Sequence, residues 1–400
     1  MKLSARAMGL SPSPTLAIDA QAKKLIASGE SVINFGAGEP DFDTPEHIKQ
    51  AAIEAIQKGM TKYTPVSGIP ALKQAIVEKF KKDNGLDYKT DQIVVSAGGK
   101  HCLYNAIQVL CEAGMEVIVP APYWVSYIEQ IKLAGAMPVI VETKAGNGYK
   151  LTVDELKSVL NGRSAMLILN SPCNPTGMVY SRSELTALGE FLIDKDITII
   201  SDEIYENLVY GGSEHISIAS VDPALKEKTV IINGVSKAYS MTGWRIGYSA
   251  SCLPVAKAMS DLQSHSTSNP TSIAQAASVS ALTGTQEPSK KMVIEFEKRR
   301  NYMYERLTAI KGVACRLSEG AFYLFPCIKN YFGCSYKGRL LNSSTDLAGI
   351  LLEEGKVAVV PGVAFGDDSC FRLSYATSME NITEGLNRIE NIFKDIDIGI

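Results

Sequence analysis

Three short apolar runs in the middle of the chain each end in a group of polar side chains. Continuous apolar runs are typical of strands buried on both faces of a parallel sheet. The carboxyl ends of parallel strands meet at one edge, where open α/β sheets bind ligands. The sequence therefore predicts an α/β fold with a ligand site at this edge. The runs are residues 165–169, 197–200 and 229–232, followed by the polar segments 170–177, 201–205 and 233–248.

The third polar segment carries Lys237, and Arg245 follows between Gly243 and Gly247. A lysine at a strand end, partly removed from water, can have its pKa lowered enough to act as an amine nucleophile or base. An arginine in a glycine-flanked turn is suited to bidentate binding of a phosphate or carboxylate. Charged side chains near loops are most often solvated surface, so neither residue establishes a site by itself.

Composition limits the class of protein. A chain of 400 residues that is 46% hydrophobic can fill a large core and is expected to divide into two domains. The net charge of −3 argues against nucleic acid or an anionic membrane as a partner. The eight cysteines include no Cys-x-x-Cys pair, and no His-x-x-x-His pair exists, so no metal site is predicted. Dispersed cysteines and the lack of a signal peptide or an apolar span predict a cytoplasmic protein.

Residues 92–96 are predicted to be a strand, followed by a turn at Gly98 and Gly99 and a helix over 101–111. A glycine turn at a helix start presents free backbone N–H groups and the positive end of the helix dipole, which together bind phosphate. The segment is not a Walker A loop, because Val94 occupies the position of the first glycine and His101 replaces the Ser/Thr.

Several other residues allow both a structural and a functional interpretation. Asp202 can be a helix N-cap, and Trp124 after a strand can be core or can stack on a planar ring. Arg372 lies within an apolar strand, where a guanidinium needs an anionic partner, either a structural carboxylate or a ligand. Lys100 can be solvated. The proline turns at Ala121–Pro122 and Asn174–Pro175 are predicted to be cis.

The lysine segment, with Ser236-Lys237 and the block Gly-Trp-Arg-Ile-Gly-Tyr over 243–248, resembles that of fold-type I enzymes that use pyridoxal phosphate. More narrowly it resembles the class I aminotransferases, closest to the bacterial aspartate aminotransferase branch, and the resemblance extends from Gly38 to Arg372. It implies an α/β fold-type I transferase, with a large domain containing a mostly parallel sheet and a smaller α+β domain. The expected division is an N-terminal arm over 1–45 that contributes to the small domain, a large cofactor-binding domain over 46–285, and a small C-terminal domain over 286–400.

The resemblance also implies roles for individual residues. Lys237 would hold pyridoxal 5′-phosphate through a Schiff base and move the proton, Asp202 would face the ring nitrogen, and Tyr205 would hydrogen-bond the ring's phenolic oxygen. Tyr63 would reach the phosphate of the neighbouring subunit, which implies a homodimer with shared active sites. The implied cofactor-binding residues are Gly98, Gly99, Trp124, Asn174, Asp202, Tyr205, Ser236, Lys237, Arg245 and Tyr63. The implied substrate-binding residues are Gly38, Lys100, Trp124, Asn174 and Arg372.

The implied reaction moves the amino group of L-aspartate to 2-oxoglutarate and gives oxaloacetate and L-glutamate. Members of this branch that also aminate prephenate carry a basic residue in the arm at the position aligned with Ser11, so aspartate is favoured. The alternatives are aromatic, alanine or prephenate specificity, a β-lyase on the same fold, and a non-catalytic domain that only senses the cofactor. A regulator that binds DNA is disfavoured because it needs an added helix-turn-helix segment.

Overall fold

The computed structural model describes residues 1–12 and 14–396 of the chain. Its helices are α1 Ala5–Met8, α2 Pro14–Ala27, α3 Glu46–Gln57, α4 Pro70–Asn84, α5 Gly99–Leu110, α6 Ser126–Leu133, α7 Val153–Val159, α8 Arg182–Leu192, α9 Pro223–Glu227, α10 Leu253–Ser266, α11 Ser272–Thr283, α12 Glu287–Thr308, α13 Ser344–Glu353 and α14 Met379–Lys394. Its strands are β1 Ile33–Asn34, β2 Ile93–Ser96, β3 Glu116–Ala121, β4 Met137–Glu142, β5 Ser164–Asn170, β6 Thr198–Asp202, β7 Thr229–Gly234, β8 Gly247–Ala250, β9 Tyr323–Leu324, β10 Ser335–Tyr336, β11 Arg339–Leu340, β12 Val357–Ala358, β13 Val360–Pro361 and β14 Phe371–Ser374.

A seven-stranded sheet in the order β2-β8-β7-β6-β5-β3-β4 forms the centre of the larger part. All neighbouring strands are parallel except β8, which is antiparallel to both β2 and β7. The prediction of a mostly parallel sheet is therefore confirmed. The three apolar runs of the sequence are β5, β6 and β7, which lie side by side, so their polar segments meet at one edge.

Alternating side chains of the central strands pack against helices on both faces of the sheet. On β5, Met166 and Ile168 join a cluster with α5 and α10, whereas Leu167 and Leu169 join a cluster with α7, α8 and α9. Because successive residues of a strand point to opposite faces, a strand covered on both sides must be apolar at every position. This explains why β5 to β7 have continuous apolar sequences.

A second sheet, β13-β14-β9, and the pair β1-β12 form the smaller part, and strands β9, β14, β1 and β12 contribute side chains to a second hydrophobic cluster. This cluster joins Ile33 and Phe35, near the amino terminus, to residues of α12, α13 and α14 near the other end of the chain. The arrangement fits the smaller α+β part expected from the sequence. The boundaries at 45 and 285 stay a prediction, and residues 397–400 of the expected C-terminal domain, like Ser13 of the arm, lie outside the described residues.

Two segments differ from what their sequence predicts. The polar run over 264–270 predicts a loop around His265, but His265 lies in the last turn of α10, because the helix continues to Ser266 and the chain turns only at Ser268, where φ is 60°. The pattern over 314–317 predicts a strand, but the structure has only one bridge there, between Ala314 and Cys327. All eight cysteines are free in this structure. Within residues 1–12 and 14–396, no helix is long and apolar enough to cross a membrane.

Candidate active site

A cavity of about 440 Å³ opens at the carboxyl edge of the central sheet. It lies between the ends of β5 to β7, the start of α5, the loop over 36–39 and strand β14. The structure brings most of the predicted site residues together here, and Gly98 and Tyr63 are not in its lining. The predicted residues that line it are Gly38, Gly99, Lys100, Trp124, Asn174, Asp202, Tyr205, Ser236, Lys237, Arg245 and Arg372.

Lys237 is partly buried and follows β7 by three residues. Its Nζ donates a hydrogen bond to the carbonyl oxygen of Gly38 at 2.5 Å and lies 5.9 Å from the centre of the Tyr205 ring. Burial lowers the pKa of Lys237 to about 8, although the nearby Glu39 carboxylate opposes this effect. About a tenth of this amine is therefore neutral, and nucleophilic, at pH 7, far more than for a lysine of ordinary pKa.

Asp202 is the last residue of β6 and is 5% exposed. Its carboxylate accepts a hydrogen bond from the Tyr127 hydroxyl at 2.7 Å and one from the Ile204 N–H at 3.3 Å. Burial raises the pKa of Asp202 to about 6. No helix begins after it, so the N-cap interpretation does not apply; the residue closes a turn and faces the cavity.

The start of α5 and Arg245 lie together in the lining of the cavity. Arg245 has φ 58°, and its guanidinium donates to the Thr242 carbonyl oxygen at 2.7 Å. A Cβ atom at Gly98 would overlap this guanidinium, and one at Gly247 would overlap the backbone of Gly98 and Gly99. Only glycine at these positions lets the guanidinium, the helix start and β8 converge, which places a positive charge beside the free N–H groups of the helix.

Arg372, on β14, is 2% exposed. Its guanidinium donates to the Asn174 side-chain oxygen at 2.9 Å and to the Gly36 carbonyl oxygen at 2.8 Å, and it lies 4.3 Å from the centre of the Tyr323 ring. Its Nε has no hydrogen-bond partner, and no carboxylate within the described ranges forms an ion pair with it. A structural ion pair is thus not what balances this buried cation. The arrangement fits an anionic ligand instead.

Trp124 and Lys100 form the wall next to Asp202. The Lys100 Nζ lies 5.0 Å from the centre of the Trp124 ring, and Trp124 meets Tyr127 edge to face at 5.5 Å. Burial, followed by the charge of Arg245, lowers the pKa of Lys100. Trp124 is therefore partly buried. Its ring packs against Tyr127 and also lines the cavity.

The sequence interpretation missed several residues that line the cavity, among them Tyr323, Tyr127 and Glu39. Tyr323 forms a hydroxyl hydrogen bond with Tyr205 at 2.9 Å, Tyr127 binds Asp202, and the Glu39 carboxylate accepts from the Thr242 hydroxyl at 2.8 Å. Tyr127 lies one helical turn after the predicted Trp124, and Glu39 adjoins the predicted Gly38, so both had a local signal. Tyr323 had none, because its strand is distant in sequence.

The remaining predicted features are placed as follows. Both predicted proline bonds, after Ala121 and Asn174, are cis, and a third after Ser171 was not predicted. Tyr63 is 90% exposed, so its proposed reach into a neighbouring subunit stays a prediction. A buried group of Glu203, Glu206 and His215 has the spacing of metal ligands. Protein side chains already pair with both carboxylates of this group. Lys79 forms an ion pair with Glu206, and the hydroxyls of two serines donate hydrogen bonds to Glu203.

The chain is similar to known proteins over almost its whole length. The chain is 51% identical over 397 residues to the aspartate aminotransferase of Geobacillus stearothermophilus, with 98% of this chain and 99% of that one covered. It is 46% identical to the aspartate/prephenate aminotransferase of Nitrosomonas europaea, covering 98% and 100% of the two chains. The crystal structure of the Rhizobium meliloti aspartate aminotransferase superposes with a TM-score of 0.96 at 43% identity and covers 99% of this chain and 100% of that one. The family model for aminotransferase class I and II matches residues 30–389, and the chain belongs to that aminotransferase family.

Proposed function

We propose that the protein transfers the amino group of L-aspartate to 2-oxoglutarate, giving oxaloacetate and L-glutamate, with pyridoxal 5′-phosphate as cofactor. The names of the relatives at 51% and 46% identity support aspartate as donor. The observation that carries the proposal is a buried arginine without an acidic partner, Arg372, in the same cavity as a second cation, Lys100. Two separate cations suit a substrate with two carboxylates.

The residues of the cavity fit this cofactor. Asp202 is a buried carboxylate of raised pKa that a protonated ring nitrogen would keep ionised. Arg245 and the glycines at the start of α5 provide a phosphate cradle that a Cβ atom would fill. Trp124 offers an aromatic face beside Asp202. When bound, pyridoxal phosphate supplies an aldehyde that links to amines and a ring that withdraws electrons.

Lys237 is the residue that performs the chemistry in this proposal. Its amine, with a pKa of about 8, is neutral often enough at neutral pH to hold the cofactor covalently. With pyridoxal phosphate bound, the Lys237 amine would act as the base that removes the proton from the substrate Cα and holds it for its return. Its hydrogen bond to the Gly38 carbonyl oxygen supports this role, because Gly38 lies in the loop proposed to bind the substrate.

Arg372 and Lys100 bind and orient the substrate. The guanidinium of Arg372 takes the α-carboxylate and is held in place by Asn174 and the Gly36 carbonyl. Lys100 takes the distal carboxylate, and the Gly38 N–H assists at the α-carboxylate. Fixing both ends of the substrate places its Cα–H bond toward Lys237, which accelerates proton transfer by positioning.

We further propose that the active unit is a homodimer in which Tyr63 binds the phosphate of the neighbouring subunit. Tyr63 is 90% exposed in the single chain. Tyrosine is enriched at protein–protein interfaces, so this exposed side chain is suited to contact a second subunit. Light scattering coupled to size exclusion tests this directly. A dimer is expected, and a monomer that turns over aspartate would contradict the shared site.

A panel of amino donors tests the function. Purified protein with pyridoxal phosphate and 2-oxoglutarate is expected to form oxaloacetate from aspartate faster than it forms products from tyrosine or alanine. The name of the Nitrosomonas relative makes prephenate the second acceptor to assay, with glutamate or aspartate as donor. Turnover with tyrosine or alanine but not aspartate would move the assignment within the family, and absence of turnover with every donor would favour a sensor that binds the cofactor without catalysis.

A further inference from the structure

Two cysteine side chains meet in the smaller part of the molecule. Cys327 and Cys370 lie directly opposite each other on antiparallel segments. The Ile328 N–H donates to the Ser369 carbonyl at 2.8 Å and the Phe371 N–H to the Pro326 carbonyl at 3.1 Å. These bonds flank the cysteine pair, which makes it a non-hydrogen-bonded pair, with Cα atoms typically about 4.5 Å apart. Disulfides span Cα separations of about 4.4–6.8 Å, so the backbone allows one here.

The two thiols differ in exposure and in chemistry. Cys370 is fully buried, and its sulfur lies 3.5 Å from the Tyr149 hydroxyl and 3.6 Å from the Asp367 carboxylate. Cys327 is partly exposed. Interaction with Cys370 lowers the pKa of Cys327 to about 6, while the same interaction, followed by burial, raises the pKa of Cys370.

The pKa values of the other buried cysteines are shifted in the opposite direction. Burial raises the pKa of Cys102 to about 12 and that of Cys111 to about 11. Cys315, on the segment next to Cys327, also has its pKa raised to about 12. Reactive thiols are the partly exposed ones of low pKa, and sensor cysteines have a second thiol in contact. Among these four, only Cys327 has this environment.

We propose that Cys327 and Cys370 form a site of reversible oxidation, which hydrogen peroxide converts to an intramolecular disulfide. The Cys327 thiolate attacks one peroxide oxygen, so an S–O bond forms, the O–O bond breaks and hydroxide leaves as water. Cys370 then attacks the Cys327 sulfur, with its proton passing to Asp367 or to the departing hydroxide. An S–S bond forms, and the second oxygen leaves as water. Two thiols are oxidised by two electrons and one peroxide is reduced to two waters.

The cysteine pair is separate from the active-site cavity, since neither cysteine lines that cavity. Cys370 nevertheless lies two residues before Arg372 in the chain. Because side chains two apart on a strand share one face, Cys370 and Arg372 are expected to lie on the same face. The proposal does not depend on the amino donor or on cofactor binding, so it can fail while the proposed function holds, and the reverse is equally possible.

Mass spectrometry tests the proposal on the full chain. Protein treated with hydrogen peroxide at pH 7, alkylated and digested is expected to give peptides of 327 and 370 joined by a disulfide, which dithiothreitol separates. Recovery of both thiols as alkylated cysteines, at a peroxide concentration that oxidises surface methionine, would overturn it. So would a disulfide that joins Cys327 to Cys315 instead.

Variants give a readout that does not need the disulfide. In Cys370→Ser the second thiol is missing, so Cys327 is expected to stop at the sulfenic acid and be labelled by dimedone, and Cys327→Ser should leave Cys370 unmodified. Cys334→Ser is the matched control, because Cys334 is also partly exposed, and should still form the disulfide. At pH 7 iodoacetamide is expected to alkylate Cys327 about tenfold faster than Cys334; equal rates, or no dimedone label in folded Cys370→Ser, would contradict the site.

Discussion

Lys237 and Asp202 are both held where burial disfavours their charged forms. For Lys237 this favours the neutral amine that acts as nucleophile and base. For Asp202, burial of the charged carboxylate destabilises the folded protein until a cation lies beside that carboxylate. The sequence located both residues because each follows an apolar strand. It did not identify Tyr127 as the group that hydrogen-bonds Asp202, although Tyr127 lies only three residues after the predicted Trp124.

The cost at Asp202 has a defined dependence on pH. Its pKa is raised from 3.8 to about 6, so between these values the folded protein holds a proton that the unfolded chain has released. The free energy of unfolding therefore falls as the pH rises through this window. Cofactor-free Asp202→Asn is expected to be about 1–3 kcal/mol more stable than the parent at pH 7 and to gain about half as much at pH 5, measured by urea unfolding.

Asp87→Asn is the control, because that carboxylate is 81% exposed, and it should change the stability by less than about 0.5 kcal/mol. A cofactor-free Asp202→Asn protein that is no more stable than the parent at pH 7 would contradict the buried, unbalanced carboxylate.

At the scale of elements, the proposed phosphate site, at the start of α5 beside Arg245, depends on contact between β8 and the start of α5. Gly247 faces Ser96 on one side and Gly234 on the other, and a Cβ atom there would overlap the backbone of Gly98 and Gly99. The sequence predicted the glycine turn and the helix. It did not predict β8 as a strand between β2 and β7, because this pairing is set by long-range packing and not by local propensity.

Gly247→Ala is expected to push the start of α5 away from β8. Overpacking of this kind costs about 1–3 kcal/mol of stability, and the affinity for pyridoxal phosphate should fall by at least about tenfold, because each displaced hydrogen-bond donor to a charged group costs about 1.5–3 kcal/mol. Fluorescence titration with the cofactor measures this. Gly162→Ala, with open space around the added carbon, should bind the cofactor like the parent, and equal affinity in both variants would contradict the close approach.

At the scale of the whole molecule, the fold depends on central strands that the sequence identified and on long-range packing that it did not. Residues 33 and 35 share one cluster with α12 and α14, although most of the chain separates them. A contact between residues so far apart along the chain leaves no pattern in the local sequence. The same reason explains why the contact between Cys327 and Cys370, and the tyrosine pair of Tyr205 and Tyr323, appear only in three dimensions.

The buried ion pair of Lys79 and Glu206 links outer helix α4 to the turn behind the active site, and the side chains are 6% and 7% exposed. Lys79→Met leaves the carboxylate buried without its cation and is expected to cost about 3–5 kcal/mol. Lys58→Met removes an exposed pair with Glu54, where the lysine is 75% exposed, and should cost less than about 1 kcal/mol. Urea unfolding of both variants checks this, and equal losses would show that burial does not govern the pair.

The central claim is that Lys237 carries the cofactor. Protein incubated with pyridoxal phosphate, reduced with borohydride and digested is expected to carry one pyridoxyl group, on the peptide that contains Lys237, and Lys237→Ala is expected to carry none. A stable adduct on another lysine, or an unmodified Lys237 peptide in protein that turns over aspartate, would contradict the account.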